Sequence, residues 1–536
     1  MNIPVSVIDD IAAGPLLNCL LREFGEPIGE PGAGRRIHRL RGGGLLRVRE
    51  GRRPTQPERR VGRAWQRLSH GGLVALVGEV LRENTGRANA GLLAEMVDSR
   101  DVLASILAAR VRAEPPADRY LRSEQALLVG HPYHPAPKAR GGGRSGTWLR
   151  YAPEAHARFP LTLLGVREDV LVGEGDTRRL DTLGVAPAGY RLLPAHPWQL
   201  ELAARRPEVL RAFTDGRLVA LGHTAVAARP TASVRTVHLP AGAGVDDVFL
   251  KFSLDVRITN DVRRLWRHDL VKVCRTNTAV AAAFDALPGP AAWLRESGYR
   301  TVGGLFETFA VLVREGLGRR VLPGSAALLA AALTEDFDGN PLDRVTDPCR
   351  WWAAYLRHVV PPVLEVFARH GLVLECHLQN TLIAVDGEGL PVQAIFRDAE
   401  GVKALRDVGR AVGWERLVYC LVVNHLTEIA STLAERFPHT ADALWPAVRA
   451  EFERAADEYE LPEAADLLTT PTLPAKANLS LRWGDADGAH SHFIPMPNPL
   501  RGQTAAHLPQ RTPAPVGPLT DGDPTVLCEG APAPTR

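Results

Sequence analysis

Strand-like runs in this chain of 536 residues gather in two stretches and do not alternate regularly with helices. One stretch runs from Tyr190 to Leu254, through GYRLLPAHPWQL, RLVALGHTAVAARPTASVRTVHL and DDVFLKFSL. These runs are short, rich in branched residues and punctuated by turn formers. The other is VLECHLQNTLIAVDGEGLPVQAIFRD, two apolar strands around a turn signal at Asp386–Gly389. Clustering of this kind predicts an α+β protein; a doubly wound parallel sheet needs regular alternation. The first part of the chain, to about residue 125, reads mostly helical. GGLVALVGEVLRENTG and AGLLAEMVDSRDVLASILAARVRAE carry apolar residues at i, i+3, i+4 spacing. TNDVRRLWRHDLVKVCRTNTAVAAAFDAL also reads helical, with Thr259 as its N-cap. Further helices are expected at DPCRWWAAYLRHVVPPVLEVFARHG, GWERLVYCLVVNHLTEIASTLAERF and ALWPAVRAEFERAADEY. The Arg-rich stretch from Arg35 to Arg63 reads as a solvated loop or exposed helix face. The segment after about Arg501 is rich in Pro, Gly, Thr and Ala, and is expected to be disordered.

Charge and motifs exclude several classes of function. A net charge of +3 over this length does not indicate a general nucleic-acid surface. The start has no basic region ahead of an apolar run, and no run of roughly 18 apolar residues occurs, so neither a signal peptide nor a membrane span is expected. The six cysteines are scattered without a C-x-x-C, which fits buried thiols in a reducing cytoplasm. P-loop, nucleophile-elbow, H-E-x-x-H and convincing G-x-G-x-x-G motifs are all missing.

Five of the 64 basic residues are lysines: Lys138, Lys251, Lys272, Lys403 and Lys476. In a chain that uses arginine wherever a surface cation serves, a retained lysine points to a tight anion site, where a compact ammonium suits better than a planar fork. Three of them sit in dense polar clusters. GHPYHPAPKARGGGRSG places His131, His134, Lys138, Arg140 and Arg144 on a Pro- and Gly-rich loop suited to a polyphosphate; H-x-x-H also fits a metal pair. ARPTASVRTVHL reads as a strand with Ser233 and Arg235 on one face, and Thr236 beside them. Lys251 follows an apolar run. Thr259 and Arg263, four apart, share a face if the segment is helical, and can then hold a carboxylate together. In the hairpin, Glu375, His377 and Gln379 read as one strand face, with Asn380 at its end and Asp398 after the partner strand. Acid, amide and acid suit Mg²⁺ and a nucleotide; a buried structural network is the alternative. In HPWQ, His196 beside a Trp reads as a packed structural residue. LPAKANLSLRW adds Lys476 and Arg482.

In order along the chain, HPYHPAPK, HPWQ, SVRT, KFSL with TNDVR, ECHLQN, FRDAEG and LPAKANLSLRW resemble the motifs of the IucA/IucC family. These are siderophore synthetases that work independently of nonribosomal peptide synthetases. The resemblance covers roughly residues 130 to 485. It departs after Thr259, where related chains often carry a small residue and this one has Asn260.

The resemblance implies a cupped hand: a thumb over residues 1–125, fingers over 126–295, a palm over 296–505 and a disordered tail over 506–536, often as a homodimer. It implies ATP and Mg²⁺, with citrate or a similar polycarboxylate adenylated and then joined to an amine, a hydroxamate-amine or an alcohol. Neither nucleic acid nor membrane is expected as a partner. His134, Lys138, Ser233, Arg235, Thr236, Lys251, Gln379, Asn380 and Asp398 are then expected around ATP. Thr259, Arg263, Glu375, His377 and Lys476 are expected around the carboxylate, and Glu375, Gln379 and Asp398 around Mg²⁺. Lys251, Arg263 and His377 are the expected catalytic residues. The rival reading is a small-molecule phosphotransferase of the aminoglycoside-kinase type, since Glu375 and Asn380 have the spacing of a kinase acid and metal-binding Asn.

Overall fold

The computed structural model describes residues 3–141, 146–242, 244–485 and 492–501; Arg144, Cys528 and the tail from 506 lie outside them. The chain mixes helix and sheet throughout, as expected, but its N-terminal part is not mostly helical. Helix Val5–Phe24 leads into a meander of five antiparallel strands between Gly25 and Arg67, and the two expected helices follow at His70–Thr85 and Ala90–Arg110. The Arg-rich stretch is therefore sheet. Its glycines are hairpin turns: Gly34 and Gly62 have positive φ, which glycine adopts without steric cost. Leu46 and Val48 face inward while Arg47 alternates outward, bonds Glu58 at 2.6 Å and lies over the Trp65 ring. Arginine stems cover an outer sheet face that alternating small polar residues would have announced more plainly. Inside, Leu16, Leu20, Leu46, Leu73, Val77 and Met96 form one core.

The middle of the chain is an eight-stranded antiparallel sheet. Its order is Leu171–Gly175, Glu296–Val302, Val311–Glu315, Val248–Phe252, Thr236–Leu239, Leu218–Pro230, Phe159–Arg167, Tyr190–Ala195. Two of these strands lie beyond residue 295, so the sheet crosses the expected boundary between fingers and palm. Alternation sets its chemistry: Val248, Leu250 and Phe252 enter one core, leaving Phe249 and Lys251 on the opposite face. His196 is packed among Tyr151, Phe159 and Phe252, as expected of a structural histidine.

The C-terminal part is mostly helical around a four-stranded sheet that contains the expected hairpin, Thr381–Val385 with Pro391–Phe396. Helix Pro348–His370 starts on an Asp347 cap and ends on left-handed Gly371. A helical run, Arg410–Arg436, is long and apolar enough by length and composition to cross a membrane, yet 78% of its apolar window is buried inside the protein, as in a core helix. Its middle, Tyr419–Leu426, is π-helical. Finally, helix Asn478–Trp483 returns to the N-terminal part. Glu23 there accepts bonds from the Leu479 and Ser480 amides at 2.8 Å and from the Ser480 hydroxyl at 2.7 Å, and Glu95 pairs with Arg482 at 2.6 Å.

Candidate functional site

The middle and C-terminal parts, with the loop that carries His131 and Lys138, line a cleft of about 980 Å³. At its base the Lys251 ammonium lies 2.7 Å from both Asp398 and Glu400, and the lysine is 2% exposed. Burial works against every charge here, but the pairing outweighs it: Lys251 is held above its ordinary value, and Asp398 and Glu400 below theirs. Arg314, 3.9 Å from Asp398, is itself paired at 2.6 Å with fully buried Glu296. The other Glu296 oxygen accepts the Ala399 amide at 3.0 Å, which fixes the turn after Asp398. Asp398 has φ of 83°, a strained conformation for a residue with a side chain.

Ser233 and Arg235 are not on a strand. Residues 231–235 form a turn between Leu218–Pro230 and Thr236–Leu239, with Val234 at φ 66°. Ser233 Oγ accepts the Thr236 amide at 3.1 Å. A run of Thr, Ser and branched residues satisfies a strand pattern as well as it satisfies a side-chain-bonded turn. The turn is anchored from below. Glu124 accepts the Ala232 amide at 3.0 Å and pairs with Arg397 at 2.6 Å, and Arg397 donates to the Gln379 carbonyl at 2.8 Å. Arg235 reaches the Arg264 carbonyl at 2.9 Å and Glu400 at 3.4 Å.

Thr259 and Arg263 do meet, but across a hairpin instead of along a helix. Arg257–Ile258 pairs with Asp261–Val262, Thr259 sits in the turn at φ 60°, and the helix starts only at Arg267. Arg263 donates to Thr259 Oγ1 and the Ile258 carbonyl, both at 2.8 Å. Burial and nearby Arg235 bring its guanidinium down to about 10, against the opposing pull of Asp261, Glu400 and Asp398. Asn260 donates to Asn478 Oδ1 at 3.3 Å, and Asn478 to the Tyr133 carbonyl at 2.8 Å.

Glu375, His377 and Gln379 precede the strand: residues 374–376 are irregular, 378–380 form a turn, and the ladder begins at Thr381. Arg416 holds Glu375 at 2.8 Å. A Cβ on Gly401 would lie 2.2 Å from Glu375 Oε2, so the two segments can pack only with glycine there. Asn380 Nδ2 lies 3.5 Å from His377 Nε2. Burial lowers His377, and it lowers His131 to about 3 with help from His377, Arg22 and Lys476. Lys476 lies 5.5 Å over the Tyr419 ring; burial lowers its ammonium too. Tyr419 and Asn424, five apart in the π-helix, both line the cleft; such bulges are frequent at functional sites.

Of the expected site residues, Lys138, Ser233, Arg235, Thr236, Lys251, Thr259, Arg263, Glu375, His377, Gln379, Asn380, Asp398 and Lys476 all line this one cleft. His134 is buried behind it. Its Nδ1 accepts the Ala136 amide at 3.1 Å, which makes it a support for the loop. Lys138 reaches the cleft but is held by Glu154 at 2.5 Å. Glu296, Arg314 and Glu400 went unrecognised in the sequence; of these Glu400 alone had a nearby signal, lying in the same FRDAEG segment as Asp398. Lys403, which lies outside the three polar clusters, also lines the cleft, so four of the five lysines do.

The fold is one shared with solved aerobactin and petrobactin biosynthesis proteins. It aligns with ATP-bound aerobactin synthetase IucA from a hypervirulent pathotype of Klebsiella pneumoniae at TM-score 0.80 and 22% identity, over 92% of this chain and 99% of that one. It aligns with petrobactin biosynthesis protein AsbB from Bacillus anthracis str. Sterne at 0.75 and 19%, over 92% and 95%. The IucA / IucC family's sequence pattern matches residues 119–335, and that of the ferric iron reductase FhuF-like transporter matches 349–491. An L-2,3-diaminopropanoate--citrate ligase from Staphylococcus aureus (strain NCTC 8325 / PS 47) is 30% identical over 443 residues, covering 72% of this chain and 75% of the relative. A spermidine-citrate ligase from Bacillus anthracis is 24% identical over 458 residues, covering 72% and 74%. The chain belongs to the IucA/IucC family.

Proposed function

We propose that this chain is an ATP-dependent siderophore synthetase that adenylates a carboxylate of citrate or a related polycarboxylic acid. One carboxylate oxygen attacks the α-phosphorus of ATP, the bond from that phosphorus to the bridging oxygen breaks, and pyrophosphate leaves. An amine or hydroxyl then attacks the acyl carbon, loses its proton, and displaces AMP to give an amide or ester. The observation that carries this reading is the convergence of the motif residues on one cleft lined by both cations and carboxylates. The names of the relatives, citrate ligases with amine partners, support it.

In this reading Ser233, Arg235, Thr236 and Lys251 lie along the phosphates, where preorganised donors stabilise charge building on the leaving pyrophosphate. Gln379 and Asn380 hold the nucleotide, and Lys138 acts as a charge beside it. Thr259, Arg263, His377 and Lys476 hold the polycarboxylate. The low value of His377 keeps its imidazole neutral near pH 7, so it serves as a hydrogen-bonding group to the acid and not as a cation. Positioning of this kind contributes several kcal/mol to lowering a barrier.

Among the described residues no group of three or more His, Cys, Asp and Glu could hold a metal ion. Asp398 and Glu400, both 2.7 Å from one ammonium, still suit Mg²⁺, which takes one or two carboxylates and completes its shell with phosphate oxygens and water. Glu375, committed to Arg416, fits better as a support for the acid site. Bound Mg²⁺ supplies charge neutralisation on the phosphates. The thumb, fingers and palm, a homodimer and a cytoplasmic setting complete the proposal; light scattering checks the dimer.

Hydroxylamine trapping with citrate, ATP and Mg²⁺, read alongside pyrophosphate, tests it. Hydroxamate and pyrophosphate are expected together; neither product with any of several di- and tricarboxylates sinks the proposal. ADP in place of pyrophosphate is what the phosphotransferase alternative requires, and the relatives lend that alternative no support. Arg263→Ala is expected to raise KM for the acid by about 10²-fold or more, since it removes a charged partner from a buried anion site. KM for ATP should change far less. A wild-type KM for citrate would place the acid elsewhere in the cleft.

A further inference from the structure

The Arg-rich N-terminal sheet plays no part in the proposed reaction, yet one of its turns reaches the cleft wall. Arg52 and Arg53, between strands Leu45–Arg49 and Thr55–Val61, insert into the C-terminal part. Arg52 contacts Glu428 at 3.2 Å and donates to the Thr334 carbonyl at 2.7 Å, and its backbone amide meets Glu435 at 2.5 Å. Arg53 grips Glu335 with both terminal nitrogens, at 2.7 and 3.3 Å. Glu335 and Glu428 are buried, at 6% and 2% exposure, and both line the cleft. Asn18 donates to the Arg52 carbonyl at 3.1 Å and to the Pro132 carbonyl at 3.2 Å, tying the turn to the loop that carries His131.

Two buried carboxylates are the wrong charge for the wall of a site that takes polyanions. Like charges juxtaposed in a desolvated site oppose binding strongly, and a buried carboxylate without a partner is costly in itself. We propose that Arg52 and Arg53 are positioning residues: from behind the wall they neutralise Glu335 and Glu428 and so set the affinity of the cleft for its anionic substrates. The proposal rests on the synthetase reading only in taking those substrates to be anions. It gives the N-terminal sheet a direct part in binding without placing any of its side chains on the substrate.

The test uses the full chain and inorganic pyrophosphate, a plain polyanion, measured by calorimetry. Arg52→Gln with Arg53→Gln is expected to weaken pyrophosphate binding about tenfold at low salt. The loss should shrink as NaCl is raised from roughly 0.05 to 0.5 M, because screening reduces repulsion. Adding Glu335→Gln and Glu428→Gln to that variant should restore binding at low salt. A purely structural role predicts neither the salt dependence nor the rescue. Binding within twofold of wild type, a loss indifferent to salt, or no rescue by the glutamines overturns the proposal, as does wild-type protein that binds no pyrophosphate. If the arginine variant does not fold, Glu335→Gln with Glu428→Gln alone decides, since the retained arginines then make the wall more positive. Tighter binding supports the proposal, and unchanged or weaker binding overturns it. The synthetase reading fails separately, when pyrophosphate binds but no carboxylate elicits its release from ATP.

Discussion

Lys251→Ala is expected to reduce citrate-dependent pyrophosphate release by about 10³-fold, to background, a loss at the upper end of what one preorganised donor provides. The side chain stands on a central strand of the eight-stranded sheet, pinned between Thr236 and Leu312 by the strand register. Its ammonium is thus placed by backbone pairing on both sides. Lys251→Arg should fare little better, because the guanidinium is larger and planar where 2% exposure leaves no slack. Activity in either variant near the wild-type level would mean that the phosphates lie elsewhere.

The same variant has a pH signature. In the wild type, Asp398 and Glu400 are depressed below their ordinary 3.8 and 4.5. Their stabilisation is present above those values and is lost as pH falls through the folded ones. Lys251 is raised above 10.5, so its share is full below that value and is lost only as pH rises past it. The cluster therefore contributes evenly from about pH 5 to 10. Without the ammonium, two adjacent buried carboxylates repel each other, and at least one is pushed up. Its contribution is then full at acid pH and lost on going to neutral. Lys251→Ala should melt higher at pH 5 than at pH 8 in a thermal scan, in contrast to the wild type. The same ordering in both proteins would show that Arg235 and Arg314, which also face the two carboxylates, hold them down without the lysine.

Glu124→Ala should have the largest effect on stability, about 3–5 kcal/mol, read as a lower urea midpoint. Glu124 is fully buried and serves Arg397 at 2.6 Å, the Tyr120 hydroxyl at 2.5 Å and the Ala232 amide at 3.0 Å. Deleting it strands a buried guanidinium and an amide. It should also cost activity, because Arg397 orders the turn before Thr381 and Ala232 belongs to the turn that carries Ser233. Replacing both partners, Glu124→Leu with Arg397→Met, should recover much of the stability without the activity. Recovery of both would show that the pair holds the fold but does not shape the cleft.

The chemistry of the cleft was more legible than its geometry. Residue types and their order along the chain suffice to place Lys251, Arg263 and Asp398 in one cleft, because dense polar clusters in an otherwise apolar segment leave a local pattern. Thr259 and Arg263 were paired correctly but for the wrong reason: a spacing of four fits both a helical face and a two-residue hairpin. The Ser233 segment has the composition of a strand, and only its side-chain bond to the Thr236 amide makes it a turn. Glu296 and Arg314 had no local signal at all. They are ordinary alternating strand residues whose role comes from lying under Asp398, about a hundred positions away. The N-terminal sheet was hidden because its outward residues are arginines, which suit a loop or a helix equally well.

The capping of helix Asn478–Trp483 by Glu23 has a consequence for how the molecule is made. The two partners are 456 positions apart, about 20–90 s of synthesis at typical rates. Until then the first helix carries a carboxylate meant for amides that do not yet exist, and the wall carrying Lys476 and Asn478 is missing. Contacts of such long range slow folding and tie its last step to the arrival of one short segment. A chain that stops before that segment carries most of the motifs but lacks the cleft wall formed by Lys476 and Asn478.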